Sequence, residues 1–110
     1  MAEKEPKRKS QLEVLSLLVL SKGPNHGYGI LKEIKSISEG RLRFTPPSVY
    51  DSLNILLANG ETTDLEGEIV NGRFRQKYSI TDLGKEILAK EMRSLARLLQ
   101  YHEQDPLSLI

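Results

Sequence analysis

The sequence predicts a mainly α-helical chain with one small β-hairpin, in the order helix, helix, helix, hairpin, helix. Three observations carry this reading. Apolar residues recur at helical spacing in three successive stretches, between Ser10 and Leu20, between Asn25 and Ile37, and between Pro46 and Ala58. An Asn71-Gly72 pair separates two short stretches of strand-like composition, and Asn-Gly is the strongest short hairpin signal. A last stripe, Leu88, Met92, Leu95 and Leu99, follows the 4-3-4 spacing of a coiled-coil seam.

The elements follow in order. Residues 1–9 are polar, with Lys4, Lys7, Arg8 and Lys9 relieved only by Glu3 and Glu5, and are expected to form a flexible basic arm. Ser10, with Glu13 three residues later, makes a capping box for the first helix. Leu12, Val14, Leu15, Leu17, Leu18, Val19 and Leu20 make that helix apolar nearly all round, so it must be covered on several sides. Gly23 and Pro24 end it, and Asn25 is placed to cap the second helix, whose apolar face is Tyr28, Ile30, Leu31, Ile34 and Ile37. The third helix begins at TPPSVY. Thr45 is its N-cap, and Pro46 and Pro47 are tolerated in a first turn whose N–H groups have no intrahelical partner. Val49, Leu53, Leu56 and Leu57 line its buried face, which leaves Ser48, Asp51, Ser52 and Ile55 on the other, and Asn59-Gly60 closes it.

Two strands are expected over 61–70 and 74–80. In the second, Arg73, Arg75 and Lys77 share one face, while Phe74, Gln76, Tyr78 and Ile80 share the other, with Gln76 out of keeping on the apolar side. Thr81 caps the last helix, with Gly84 tolerated in its first turn, and Pro106 ends helical propensity in the tail. Three helices followed by a two-stranded hairpin is the plan of a winged helix-turn-helix, here with a C-terminal dimerisation helix. In that plan the third helix enters the DNA major groove and the hairpin is the wing. The expected boundaries are an arm at 1–9, a winged-helix DNA-binding domain at 10–81, a dimerisation helix at 82–104 and a tail at 105–110.

Composition excludes several classes. A chain of 110 residues suits one domain with a modest core, and oligomerisation is a common supplement to such a core. There are no cysteines, hence no disulfide, thiolate nucleophile or Cys-based metal site, a usage that suits a reducing cytoplasm. No apolar run approaches the length of a membrane span, and MAEKEPKRKS lacks the apolar segment of a signal peptide. The two histidines, His26 and His102, lie far apart and pair with nothing for catalysis or metal binding, so His26 is expected to cap or pack locally. There is no Gly-rich phosphate loop and no nucleophile beside a base, so the chain does not read as an enzyme and no cofactor or metal is expected.

LSKGPNHGYGILKEI (20–34), RFTPPSVYDSLNILLANG (43–60) and NGRFRQKYSITDLGKEIL (71–88), taken in order, resemble the PadR family of bacterial and archaeal transcription regulators. The resemblance covers roughly residues 10–100 and points to the short form with a single dimerising C-terminal helix. It implies a cytoplasmic, homodimeric, sequence-specific regulator, a repressor more than an activator, whose partners are double-stranded operator DNA and a second copy of itself. The third helix would then be the recognition helix, with small polar residues admitting its backbone to DNA and its N-terminus attracting phosphate.

On this reading the DNA contacts are Tyr28, Pro47, Ser48, Tyr50, Asp51 and Ser52, with Ile55 meeting a thymine methyl, and Arg73, Arg75 and Lys77 on the wing. First-turn backbone amides would hold the recognition helix on a phosphate. Spacing alone favours ring packing for Tyr50 and a solvated face for the wing cations; the resemblance favours DNA contact for both. The dimer interface is expected at Leu15, Leu88, Met92, Leu95 and Leu99. A dimer built on paired long helices can leave an apolar cleft on its two-fold axis that Met92 and Tyr101 could line, which leaves two alternatives, a small-molecule effector or a regulator without one.

Two features depart from the family pattern. Asp51 stands where the family is often neutral, and Glu61 and Thr62 replace apolar residues. With the near-neutral net charge of +1 and the acidic stretch 61–68, they motivate the alternative of a winged-helix interaction module that no longer binds DNA.

Overall fold

The computed structural model describes residues 8–104, so residues 1–7 of the expected arm and the tail at 105–110 lie outside the described residues. Four helices and a three-stranded antiparallel sheet follow one another among the described residues: α1 (Gln11–Leu20), β1 (Asn25–His26), α2 (Gly27–Ile37), α3 (Pro46–Ala58), β2 (Thr62–Val70), β3 (Arg73–Ile80) and α4 (Asp82–Gln104). The mainly α fold with a small sheet is as expected, with one addition. β1, a strand of two residues, pairs antiparallel with β3, Asn25 opposite Tyr78 and His26 opposite Lys77, so the sheet order is β1-β3-β2.

Local chemistry explains the helix starts. Ser10 Oγ accepts from the Glu13 N–H at 3.1 Å, and Thr45 Oγ1 accepts from the Ser48 N–H at 3.3 Å. Thr81 Oγ1 accepts from the Gly84 N–H at 3.1 Å while donating to the Gly60 carbonyl at 2.7 Å. The second helix differs from expectation. Asn25 does not cap it; the N-cap is His26, whose Nδ1 accepts from the Gly29 N–H at 2.9 Å, while Asn25 Oδ1 accepts from the His26 N–H. Asn25 is drawn into the sheet by its pairing with Tyr78, which leaves the next residue to close the helix.

The core is the meeting of the first three helices. Leu17, Leu20, Ile30, Ile34, Val49, Leu53 and Leu56 are fully buried, and Val14, Leu15 and Leu18 pack half-buried around them, which accounts for a first helix apolar on nearly every side. The hairpin turns at Asn71 (φ 53°) and Gly72 (φ 77°), the paired left-handed conformations of a type I′ turn. A register shift between Leu65 and Glu68 puts a bulge opposite Gln76, whose side-chain amide donates to the Leu65 carbonyl and, at 3.3 Å, to the Lys77 carbonyl. The out-of-place Gln76 of the sequence pattern is thus the residue that satisfies the bulged backbone.

One feature anticipated as a weakness, Glu61, is a structural tie. Glu61 is 4% exposed and forms an ion pair with Lys9, which also lies 4.0 Å from Glu13. Lys9, expected at the end of a flexible arm, is therefore anchored, and the Glu61 charge is matched inside the protein. Thr62 is likewise buried. Gly84 is more than tolerated, because a Cβ there would stand 2.1 Å from the Glu61 carbonyl oxygen. Backbone cannot yield as a flexible side chain does, so Gly84→Ala is expected to cost at least about 1–3 kcal/mol. Thermal denaturation would check this, with a fall in Tm of roughly 4–8 °C per kcal/mol.

The last helix corrects the seam. Leu88 is buried in the protomer core and Met92 packs half-buried against it, so Leu88 does not lie mainly between chains. At about 1.5 Å per residue the 23 residues of α4 span roughly 35 Å. The first turns cover the core and the rest run past it, leaving Leu95, Leu98 and Leu99 exposed at 50%, 66% and 57%. Met92 and Tyr101 are nine positions apart, about two and a half turns, and so face opposite sides of the helix. They do not line one cleft within a protomer.

Candidate nucleic-acid interface

Four of the sequence-predicted residues, Tyr28, Tyr50, Arg73 and Arg75, meet where α2, the first turn of α3 and the wing come together. Gly27, Tyr28, Leu31, Pro46, Tyr50, Arg73 and Arg75 line one groove of about 260 Å³. Tyr50 enters it because α2 begins with glycine. A Cβ on Gly27 would lie 2.7 Å from ring carbons of Tyr50, so the bare backbone is the surface on which the ring rests. Packing and solvent contact are therefore compatible for this tyrosine, since its ring is half-buried.

Tyr28 is held from several directions. The Arg75 guanidinium carbon lies 5.0 Å from its ring centroid and Lys32 Nζ 5.4 Å, and the His26 ring stacks against it at 6.3 Å and 15°. Cations over an aromatic face are attracted by its negative quadrupole and lose some freedom to swing into solvent. Arg75 Nε is buried with no hydrogen-bond acceptor among the described residues. Across the hairpin Glu68 stands opposite Arg75, Leu65 opposite Lys77 and Val70 opposite Arg73. The wing cations thus share a face as the alternation predicted, with Arg73 exposed and Arg75 and Lys77 half-buried.

On α3, Pro47 and Asp51 are exposed and Ser48 is half-buried, but Ser52 is 6% exposed and belongs to the buried face with Val49, Leu53 and Leu56. The correction follows from pitch. Position 52 follows Val49 by three residues and precedes Leu56 by four, so on the helical wheel it lies beside both, at the edge of the buried face. Its place on the open face is taken by Asn54, exposed, three residues after Asp51 and seven after Pro47. That spacing was visible in the sequence, and Asn54 is an exposed residue of this face that the sequence-based set lacked. Ile55 is exposed as expected.

The expected backbone anchor is also corrected. Pro46 and Pro47 occupy the first two helical positions and have no N–H, the Ser48 N–H is taken by Thr45 Oγ1, and the Val49 N–H by the Thr45 carbonyl at 3.1 Å. The first turn of α3 therefore has no amide donor left for a phosphate. What it offers is the flat proline surface and two hydroxyls, Thr45 and Ser48, themselves 2.8 Å apart.

Among the described residues no group of three or more His, Asp or Glu side chains is arranged to hold a metal, and no helix is long and apolar enough to cross a membrane.

Comparison with known proteins agrees with this geometry. The model of the transcriptional regulator PadR-like family matches residues 14–90. A protein of 37.1 kDa in transposon Tn4556 of Streptomyces fradiae is 37% identical over 91 residues, covering 83% of this chain and 25% of that protein, so the chain spans a quarter of that relative's length. A transcriptional regulator from Clostridium thermocellum superposes with a TM-score of 0.73 at 20% identity, over 86% of this chain and 89% of that one. PadR of Bacillus subtilis, solved in complex with operator DNA, superposes with a TM-score of 0.66 at 25% identity, over 76% of this chain and 47% of that one. The wing, the tyrosine-lined groove and the family match together assign the chain to the PadR-like family of transcriptional regulators, whose members regulate transcription and are not enzymes.

Proposed function

We propose that the chain is a homodimeric, sequence-specific DNA-binding repressor, with residues 10–81 binding operator DNA and the helix over 82–104 joining two copies. The observation that carries this reading is the convergence of Tyr28, Tyr50, Arg73 and Arg75 on one groove beside the exposed first turn of α3. The operator complex of Bacillus subtilis PadR supports it by likeness of fold.

In the mechanism proposed, Pro47, Ser48, Asp51 and Asn54 face base edges, and Ile55 meets a thymine methyl. An asparagine suits adenine through its paired donor and acceptor, and a carboxylate accepts from cytosine N4. Tyr28, Tyr50, Arg73, Arg75 and Lys77 hold the phosphate backbone, which sets affinity and orientation without reading sequence. Burial of the Glu61 charge with Lys9 removes one acid from the field that a phosphate would meet.

The test is fluorescence anisotropy on the chain's own upstream DNA and on random duplex across a salt series. The parent is expected to prefer its own promoter. Arg73→Ala and Arg75→Ala are each expected to weaken binding to every duplex alike and to flatten log K against log salt by about 1. Asn54→Ala is expected to change preference among sequences, costing about 1–3 kcal/mol at its base pair, with little change of slope. Unchanged slopes in both arginine variants would remove the wing from the interface. A parent that binds no duplex at low salt would favour the interaction-module alternative.

A further inference from the structure

His26 makes three contacts, one of them with Tyr28 of the groove. Its Nδ1 accepts from the Gly29 N–H at 2.9 Å and so caps α2. Its ring stacks on Tyr28 at 6.3 Å and 15°. Its backbone lies opposite Lys77 in the sheet, which ties the start of α2 to the wing. Tyr28 in turn carries the Arg75 guanidinium over its ring. The first turn of the helix, the tyrosine and the wing arginine are thus linked through one imidazole. We infer that His26 is a positioning residue for DNA binding, which through its cap on α2 and its stack on Tyr28 holds Tyr28 and Arg75 in the arrangement that faces the phosphate backbone. The inference rests on the DNA-binding reading above for its function, but the linkage itself is a property of the free protein.

The cap constrains the proton. An Nδ1 that accepts from an amide carries no hydrogen, so the neutral ring holds its proton on Nε2. Protonation of Nδ1 would abolish the cap and set a second N–H against that of Gly29. Facing the ring are Tyr28 of α2, Arg75 and Lys77 of β3, and Glu68 of β2. Burial lowers the His26 pKa below its ordinary 6.5, Arg75 and Lys77 act in the same direction, and Glu68 opposes them. The sign follows. The unfolded chain takes up the proton before the folded one, so the stability that His26 contributes is present above 6.5 and is lost as pH falls below it.

The variants are His26→Ala, which removes acceptor and ring, and His26→Asn, which keeps a strong N-cap acceptor and cannot titrate. At pH 7.5 His26→Ala is expected to bind duplex about five- to tenfold more weakly than the parent, the scale of a lost N-cap, and His26→Asn to recover to within about threefold. Dividing parent affinity by His26→Asn affinity at each pH cancels the effect of His102 and the other common charges. That ratio is expected to fall by about fivefold between pH 7.5 and 5.5. A flat ratio would overturn the inference, and so would a rising one, which would make the imidazolium a phosphate ligand instead. Equal binding by His26→Ala and the parent would also overturn it.

Nuclear magnetic resonance of the DNA-free protein supplies a readout that a merely local cap would not move. The Tyr28 ring and Arg75 side-chain N–H resonances are expected to follow the titration of the His26 ring nitrogens, beyond the Gly29 amide that any cap would move, with Nε2–H the tautomer at pH 7.5. Tyr28 resonances that ignore that titration would overturn the linkage. If the parent binds no duplex at all, the DNA reading falls, and this titration by itself decides whether His26 holds Tyr28.

Discussion

A chain carrying Leu95→Glu and Leu99→Glu together is expected to sediment as a monomer, or to aggregate, under conditions where the parent is a dimer. Leu95, Leu98 and Leu99 stand half or more exposed on the part of α4 that has run past the protomer core. Full burial of a leucine contributes about 1.5–3 kcal/mol, so covering these half-exposed ones contributes roughly half of that each, and the patch from one copy and its symmetry mate together supply the scale of a stable association. Two carboxylates per chain in the same seam would each have to be desolvated without a partner, which costs more than the leucines contribute. The substitutions leave the protomer core alone, since neither side chain belongs to it. Circular dichroism should therefore stay helical while sedimentation changes. A double variant that remains a clean dimer, or a parent that is already monomeric, would end the proposal that this helix joins two copies. By contrast Leu88→Glu should unfold the protomer, because Leu88 is buried within it.

Lys9→Ala should be the most damaging single change near the N-terminus. It leaves the Glu61 carboxylate inside the protein with its cationic partner gone. Breaking a buried ion pair by removing one member costs about 3–5 kcal/mol, because the remaining charge is uncompensated. The damage would spread from the point where Glu61 sits. Its carbonyl accepts from the Thr81 N–H at 3.0 Å, its N–H donates to the Leu56 carbonyl at 2.9 Å, and Gly84 lies against it, so α3, β2 and α4 all meet there. Adding Glu61→Gln to Lys9→Ala should restore part of the loss, since a neutral amide is cheaper to bury unpaired than a carboxylate. Urea denaturation at fixed protein concentration would measure both variants. A loss below about 1 kcal/mol for Lys9→Ala would mean that the pair behaves as an exposed one.

Much of the fold was legible because its signals are local. A hydroxyl three residues before an amide caps a helix whatever surrounds it, and Ser10, Thr45 and Thr81 all do so. Asn71-Gly72 turns the chain because its own backbone prefers the left-handed region. The three-helix core follows from apolar spacing, and the candidate interface from the charges on alternate residues of β3 together with the motif around Tyr28 and Tyr50. The family was readable from the same stretches because they recur in order.

Tertiary structure decided what depends on residues far apart in the chain. Asn25 and His26 form a strand only because Tyr78 and Lys77 lie opposite, and that pairing moved the cap of α2 by one residue. Ser52 turned inward because it neighbours Val49 and Leu56 at the edge of the face that the other helices cover. Glu61 became a buried tie through Lys9, and Gly84 became indispensable through the Glu61 carbonyl, neither of which any local pattern marks. Leu88 joined the core while Leu95 and Leu99 did not, because α4 outreaches the core on which it rests. The sequence alone determined the four helices, the hairpin and where the cations fall, since those depend on neighbours a few residues away. Which faces are covered, which charges are matched and which tyrosine meets which arginine required the folded chain, because burial and close approach are properties of segments brought together across it.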